Sequence, residues 1–206
     1  MRPRVVSTSR AFVDGSRLEY NPMLMSRTPG KLVVHHRSRG AAIGSLDGFF
    51  LMRCYGELDR DDVLATLIGH EAIVAEYPRG SAAIVVIDPT TAFPSEEARR
   101  VMLDATRKTS DKTLAHTLVV LGDGFWASAV RGIMTTIGSL TNSSHPRKVF
   151  RHEEEGVDWI IEAAKEPPSK YRPLLFAGLA QLKAGVTVPP PSKPSASKPP
   201  ITKPPT

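Results

Sequence analysis

Histidine, cysteine, paired acids and glycine-rich turns are the residues through which a chain of this kind does chemistry, and this one carries fragments of several arrangements. There are six histidines and one cysteine. His35 and His36 fall in a β-rich run, His70 in a helical one, His116 ahead of an apolar strand, and His145 and His152 on either side of the last strand. A metal site needs several of these to converge, and neither H-x-x-x-H nor H-E-x-x-H spacing occurs, since His70-Glu71 is only half of the second motif. No metal is expected, and the histidines read as surface or hydrogen-bonded structural groups. Cys54 lies in a β run beside Met52 and Tyr55, where a small hydrophobe fits, and nothing there predicts the cationic, accessible setting a catalytic thiolate needs. A nucleophile elbow G-x-S-x-G, a phosphate loop G-x-x-x-x-G-K-[ST] and a dinucleotide fingerprint G-x-G-x-x-G are all absent. The expectation is a non-catalytic chain without a cofactor.

Two loops remain as candidates for contact with a ligand or partner. Asp88-Pro-Thr-Thr-Ala-Phe-Pro-Ser95 follows an apolar strand and leads into a helix, offering an acid, the hydroxyls of Thr90, Thr91 and Ser95, and a helix start. In open α/β sheets the crevice beyond the carboxyl ends of the strands is where ligands are met. The same residues also suit a capped turn, with Asp88 bonding loop amides and Ser95 capping the helix. Gly122-Asp123-Gly124 ends another strand and opens another helix, so backbone N–H groups there are free for a polar ligand group. Asp123 would repel an anion, and glycines at such a turn also serve simple reversal. Asp88, Thr90, Thr91, Ser95, Gly122 and Gly124 together form the expected partner or ligand surface. Of the other polar segments, His145-Pro-Arg-Lys148 is a small basic cluster suited to an acidic partner, and Asn142-Ser143-Ser144 is a glycosylation sequon without use in the cytosol.

The elements that must position these loops alternate between β-rich and helix-period runs, the pattern of an α/β layer fold with a largely parallel sheet. Lys31–His36 and Phe49–Tyr55, separated by the glycine-rich GAAIGSLDG, read as an antiparallel pair. Ala82–Ile87 and Thr117–Leu121 are continuously apolar, as central strands covered on both faces should be, and Lys148–Phe150 reads as a short edge strand. Asp59 caps a helix with Val63, Leu67, Val74 and Tyr77 on its apolar face. Ser95 caps a second helix through about Lys108, with Glu96 and Glu97 at its positive end. Phe125, Trp126, Ala129, Val130, Ile133, Met134, Ile137 and Leu140 make the widest helical stripe, which must pack on the sheet. Glu153–Glu155 open a fourth helix that buries Val157, Ile160, Ile161 and Ala164, after which KEPPSKYRP breaks the pattern and Leu174–Leu182 forms a short additional helix.

The net charge of +6 lies at the ends: residues 1–40 carry +6 and 189–206 carry +3, leaving −3 on the middle of the chain. That distribution, with aromatics at 6%, argues against a nucleic-acid-binding face, which would concentrate positive charge and stacking rings on the folded domain. Residues 1–29 read as a flexible basic arm, within which Met23 or Met25 is an alternative start. Residues 186–206, with prolines throughout and lysines at 193, 198 and 203, read as a disordered, polyproline-like tail that either solubilises the chain or docks a partner. One cysteine precludes an internal disulfide framework, and no apolar run approaches the ~20 residues of a membrane span. A cytoplasmic location is expected.

Several local cues, in order, resemble the STAS domain family, the fold of bacterial anti-sigma-factor antagonists. Gly56-Glu57-Leu58-Asp59 is similar to the family's "GELD" turn into its first helix, and Ile84-Val85-Val86-Ile87-Asp88 to its central "VVLDL" strand. Val149-Phe150, Glu153-Glu154-Glu155 and Trp159-Ile160 are similar to its carboxyl end, where "VF" precedes "EEA" and "WL". The resemblance implies residues 30–166 as an α/β domain with a mixed, largely parallel sheet of about five strands and four helices, followed by a linker and short helix at 167–185. It also implies a signalling or adaptor module that binds a partner protein and is switched by phosphorylation. The family's phosphoacceptor motif "DSSG" is replaced by Phe93-Pro94-Ser95-Glu96-Glu97, which leaves Ser95 as the nearest acceptor. The divergent branch related to lipid-binding CRAL-TRIO domains often lacks that serine and implies a small apolar ligand instead, with a cavity under the third helix.

Overall fold

A computed structural model describes residues 29–92, 95–140 and 145–184. The two terminal arms, Phe93-Pro94, the sequon at 142–144 and the side chains of Met134, Ile137 and Leu140 lie outside the described residues. The class is α/β. Six strands, β1 (Val33–Arg37), β2 (Ala41–Leu46), β3 (Phe49–Cys54), β4 (Ser81–Ile87), β5 (Thr113–Val120) and β6 (Arg147–Phe150), lie in one sheet in chain order. β1, β2 and β3 are antiparallel neighbours, and β3 through β6 are parallel.

Each parallel step carries a helix: α1 (Arg60–Glu76), α2 (Glu96–Thr109) with a following 3-10 turn at Ser110–Lys112, and α3 (Gly124–Leu140). Every crossover moves one place in the same direction along the sheet. The right-handed rule therefore puts α1, α2 and α3 on one face. α4 (Glu153–Ala163) and α5 (Pro168–Lys183) cover the other.

β2 departs from the expected loop and separates the two strands read as a pair. Ala41–Leu46 pairs with Phe49–Cys54 across a two-residue Asp47-Gly48 turn, in which Asp47 takes φ 48°. Its glycine is a packing requirement: a Cβ on Gly44 would stand 2.7 Å from the Val33 carbonyl oxygen and 3.4 Å from Leu182.

α5 is a second departure, for it begins at Pro168 instead of being broken there. Proline at the first helical position gives up an N–H that has no partner in any case. Tyr171, Leu175, Leu179 and Leu182 are buried from α5 and join Val157, Ile160 and Ile161 of α4 against Leu46, Leu51, Ile84 and Val119. Residues 168–183 thus belong to the domain core. Gly156 lets α4 sit close, since a Cβ there would lie 2.5 Å from Val119 Cγ2.

The wide stripe of α3 packs only in part. Ala127 and Val130 are buried against Ile87, Leu118 and Val120, whereas Ile133 is 37% exposed and Phe125 is 89% exposed. α3 lies over the last two strands and leaves its flank open. Among the described residues no helix is long and apolar enough to cross a membrane.

Candidate functional site

Asp59 and Ser95 cap α1 and α2 as their positions require. Asp62 N–H donates to Asp59 Oδ1 at 2.8 Å and Asp59 N–H to Asp62 Oδ2 at 3.1 Å, a reciprocal capping box. Ala98 N–H donates to Ser95 Oγ at 3.1 Å. Those caps fix where each helix leaves the carboxyl edge of the sheet.

At that edge Asp88 is held by a buried arginine that no local motif marks. Arg53, 2% exposed on β3, donates from Nε to Asp88 Oδ2 at 2.9 Å and from Nη2 to Asp88 Oδ1 at 2.7 Å, while Nη1 donates to Glu153 Oε1 at 2.8 Å. Burial alone lowers the Arg53 pKa. The hydrogen bonds and charges of Asp88 and Glu153 outweigh it, and the pKa is raised overall. This fork ties β3, β4 and the start of α4 together. Thr90 Oγ1 donates to the Tyr55 carbonyl and Thr91 Oγ1 to the Cys54 carbonyl, each at 2.8 Å. The polar groups of Asp88, Thr90, Thr91 and Ser95 are thus engaged in loop and cap bonds.

Gly122 and Gly124 take φ 87° and 85°, the left-handed region that favours glycine, and a Cβ on Gly122 would lie 2.9 Å from Pro89 Cγ. The two candidate loops therefore meet at one edge, beside the exposed ring of Phe125.

On the α1–α3 face the layer is incomplete. α2 packs chiefly on α1 and on its own 3-10 turn, and Ala98 is its one buried hydrophobe among the described residues. Between α2 and the sheet lies a cavity of about 160 Å³. Phe50, Met52, Val85 and Leu118 form its floor, Leu67 one wall, Met102 and Leu103 its roof, and Trp126 and Val130 the other wall. Thr91 lines it at the carboxyl edge. A second depression, of about 280 Å³, opens beside Tyr77, Leu114 and Tyr171. An exposed Arg79–Glu166 ion pair at 3.1 Å lies at its margin.

The amino-edge end of the first cavity is polar and basic. His70 of α1, His116 of β5, His145 before β6 and Arg147 of β6 all line it, and among the described residues the lining contains no aspartate or glutamate. His70 Nε2 bonds Ser81 Oγ at 2.8 Å and its Nδ1 is buried without a partner. His145 Nδ1 lies 3.3 Å from the Ser110 carbonyl and its Nε2 is buried without a partner. His116 Nε2 is likewise buried and unpartnered, and its ring centroid is 6.4 Å from that of His145.

Burial pushes His70 down to about 4, with His145 adding to the effect. Burial, then Arg147, His145 and His70, push His116 down to about 3. Burial and Arg147 lower His145 against the pull of the Ser110 carbonyl, and burial lowers Arg147. At neutral pH the end of the cavity holds neutral imidazoles around one guanidinium.

Among the described residues no group of three or more His, Cys, Asp or Glu side chains is arranged to hold a metal ion. Cys54 is buried, and burial raises its thiol to about 12, so it is unreactive packing.

The histidines were visible in the sequence only as scattered residues. His116 is inside β5 rather than ahead of it, because the strand begins at Thr113. His145-Pro-Arg-Lys148, read as a basic loop, was the one local signal of a cationic cluster. No family model, curated protein or solved structure matches the chain, so any reading of its function rests on these residues and this geometry.

Proposed function

We propose that the chain is a non-catalytic, STAS-like binding module that takes a small, largely apolar molecule between α2 and the sheet. One observation carries this reading: an apolar cavity of about 160 Å³ lies between three helices and the central strands. Engineered apolar cavities of about 150 Å³ hold benzene-sized guests. The locked fork of Arg53, Asp88 and Glu153 and the inert Cys54 thiol speak against catalysis at the carboxyl edge.

Native mass spectrometry of the full chain from its own host, beside the same sample denatured, tests the reading. A non-covalent small-molecule adduct is expected. Ala83→Phe, which fills the cavity from β4, is expected to remove that adduct while circular dichroism stays unchanged. A wild-type chain that carries no adduct, and that no apolar compound of benzene size or larger stabilises, overturns it.

A partner-protein role at the carboxyl edge is the second reading, and the 89% exposure of Phe125 favours it. In this reading Asp88, Thr90, Thr91, Ser95, Gly122 and Gly124 frame the docking edge. Phosphorylation of Ser95 would place charge at the α2 amino terminus, against the repulsion of Glu96 and Glu97. The proline-rich tail supplies a further attachment, in a cytoplasmic setting. A stoichiometric protein complex in the native spectrum that Phe125→Ala dissolves supports it, and a complex insensitive to Phe125→Ala and Ser95→Asp counts against it.

A further inference from the structure

We infer that the molecule bound under α2 is a small amphipathic carboxylic acid, its apolar body against Phe50, Met52 and Leu118 and its carboxylate among His116, His145 and Arg147. The inference rests on the proposed cavity reading and adds the chemical class of the ligand.

Polarity along the cavity carries the argument. Its body is lined chiefly by aliphatic, aromatic and thioether side chains, and its amino-edge end gathers three imidazoles and a guanidinium. Three imidazoles there each keep one buried ring nitrogen without a hydrogen-bond partner, whereas buried polar atoms are ordinarily satisfied. They come from three separate segments, α1, β5 and the turn into β6, so no single loop conformation produces the arrangement. Arg147 adds a permanent charge in register with His116 across the β5–β6 pairing, and Arg99 lines the cavity from α2. Among the described residues the lining holds no acid, so an anionic group from outside would be the partner of the three open imidazole nitrogens.

Size and charge narrow the class further. At about 160 Å³ the body of the ligand is on the scale of one ring or a short acyl chain. At the basic end the neutral imidazoles lie beside one guanidinium, Arg147, a setting suited to a group of low charge. A phosphate dianion would bring a second charge into a site that is costly for unpaired charge. A carboxylate also accepts N–H bonds from a guanidinium in matched geometry. The imidazoles are neutral when the cavity is empty because burial disfavours their charge. An adjacent carboxylate favours the charged form of each ring and so shifts its pKa back upward. The charged groups facing these rings are Arg147 and the other two histidines, with Ser81, Thr113 and the Ser110 carbonyl as their neutral neighbours.

Isothermal titration of the full chain with octanoate and with octan-1-ol tests the inference. Octanoate is expected to bind at least about tenfold more tightly than the alcohol. Arg147→Met is expected to erase the preference for the acid, and Arg147→Lys, which guards against a folding failure, to retain most of it. Equal binding of acid and alcohol, both lost in Ala83→Phe, overturns the acid class and leaves the cavity reading standing. Binding of neither compound removes both. Octanoate binding that survives Ala83→Phe overturns the inference by placing the acid elsewhere.

Discussion

The two faces of the sheet are built from the same kinds of residue and reach opposite ends of packing. On the α4–α5 face, Leu46, Leu51, Ile84 and Val119 of the strands meet Ile160, Ile161, Leu175, Leu179 and Leu182 with none of these side chains more than 2% exposed. On the α1–α3 face, Met102, Leu103 and Trp126 stand around a cavity and are only partly buried. Glycines explain much of the contrast. Gly156 and Gly178 let α4 and α5 approach the strands closely, a Cβ on Gly178 coming to 3.0 Å from Leu51. α2 has no glycine, and its helix rests on α1. The difference teaches that one face holds the fold while the other is left with space, where the proposed ligand would sit.

Substitutions should separate the faces by size of effect. The largest loss is expected at the fork that clamps the carboxyl edge: Asp88→Ala leaves Arg53 buried with Glu153 alone, and breaking such a pair costs about 3–5 kcal/mol in chemical denaturation. Next, Leu179→Ala on the closed face should cost about 2–5 kcal/mol, and Leu103→Ala on the open face distinctly less, since the residue already borders empty space. Equal losses at Leu179 and Leu103 would erase the distinction between the faces.

Acid should act on the open face first. His70 and His116 have folded pKa values pushed down to about 4 and about 3, against about 6.5 for a free imidazole. Between those limits the unfolded chain binds more protons than the folded one, so stability is full above about pH 6.5 and falls as pH drops toward the folded values. Denaturation midpoints measured from pH 7.5 to 4 should show this slope, and His116→Phe should flatten it. The smallest effect belongs to a cap: Ser95→Ala should cost about 1 kcal/mol, because it removes a single part-buried bond.

Local signals made much of the closed architecture legible before any coordinates. Continuous apolar runs at 82–87 and 117–121 marked two central strands, and Asp59 and Ser95 marked two helix starts, because strand burial and capping are written into neighbouring residues. β2 was hidden because Gly40, Gly44 and Gly48 imitate a loop. Two of them reflect close approach: Gly44 to Val33 and Leu182, and Gly40 to the Glu57 carbonyl. α5 was shortened because Pro167 and Pro168 look like a break when only position within the helix tells a start from a stop.

The carboxyl-edge residues were legible as a cluster, but not Arg53, whose partners lie 35 and 100 positions away. The cavity was least legible. It depends on how far α2 stands from the sheet, a property of tertiary packing that no periodicity encodes, and its basic end is assembled from four separated residues.

Amide hydrogen exchange across the full chain, free and with saturating octanoate, tests the central claim most directly. In the free protein the amides of Glu96–Thr109 should exchange much faster than those of Glu153–Ala163 and Pro168–Lys183, and octanoate should slow the α2 amides while leaving α4 and α5 unchanged. Protection of α2 equal to that of α4 without ligand, and no change when octanoate is added, would contradict it.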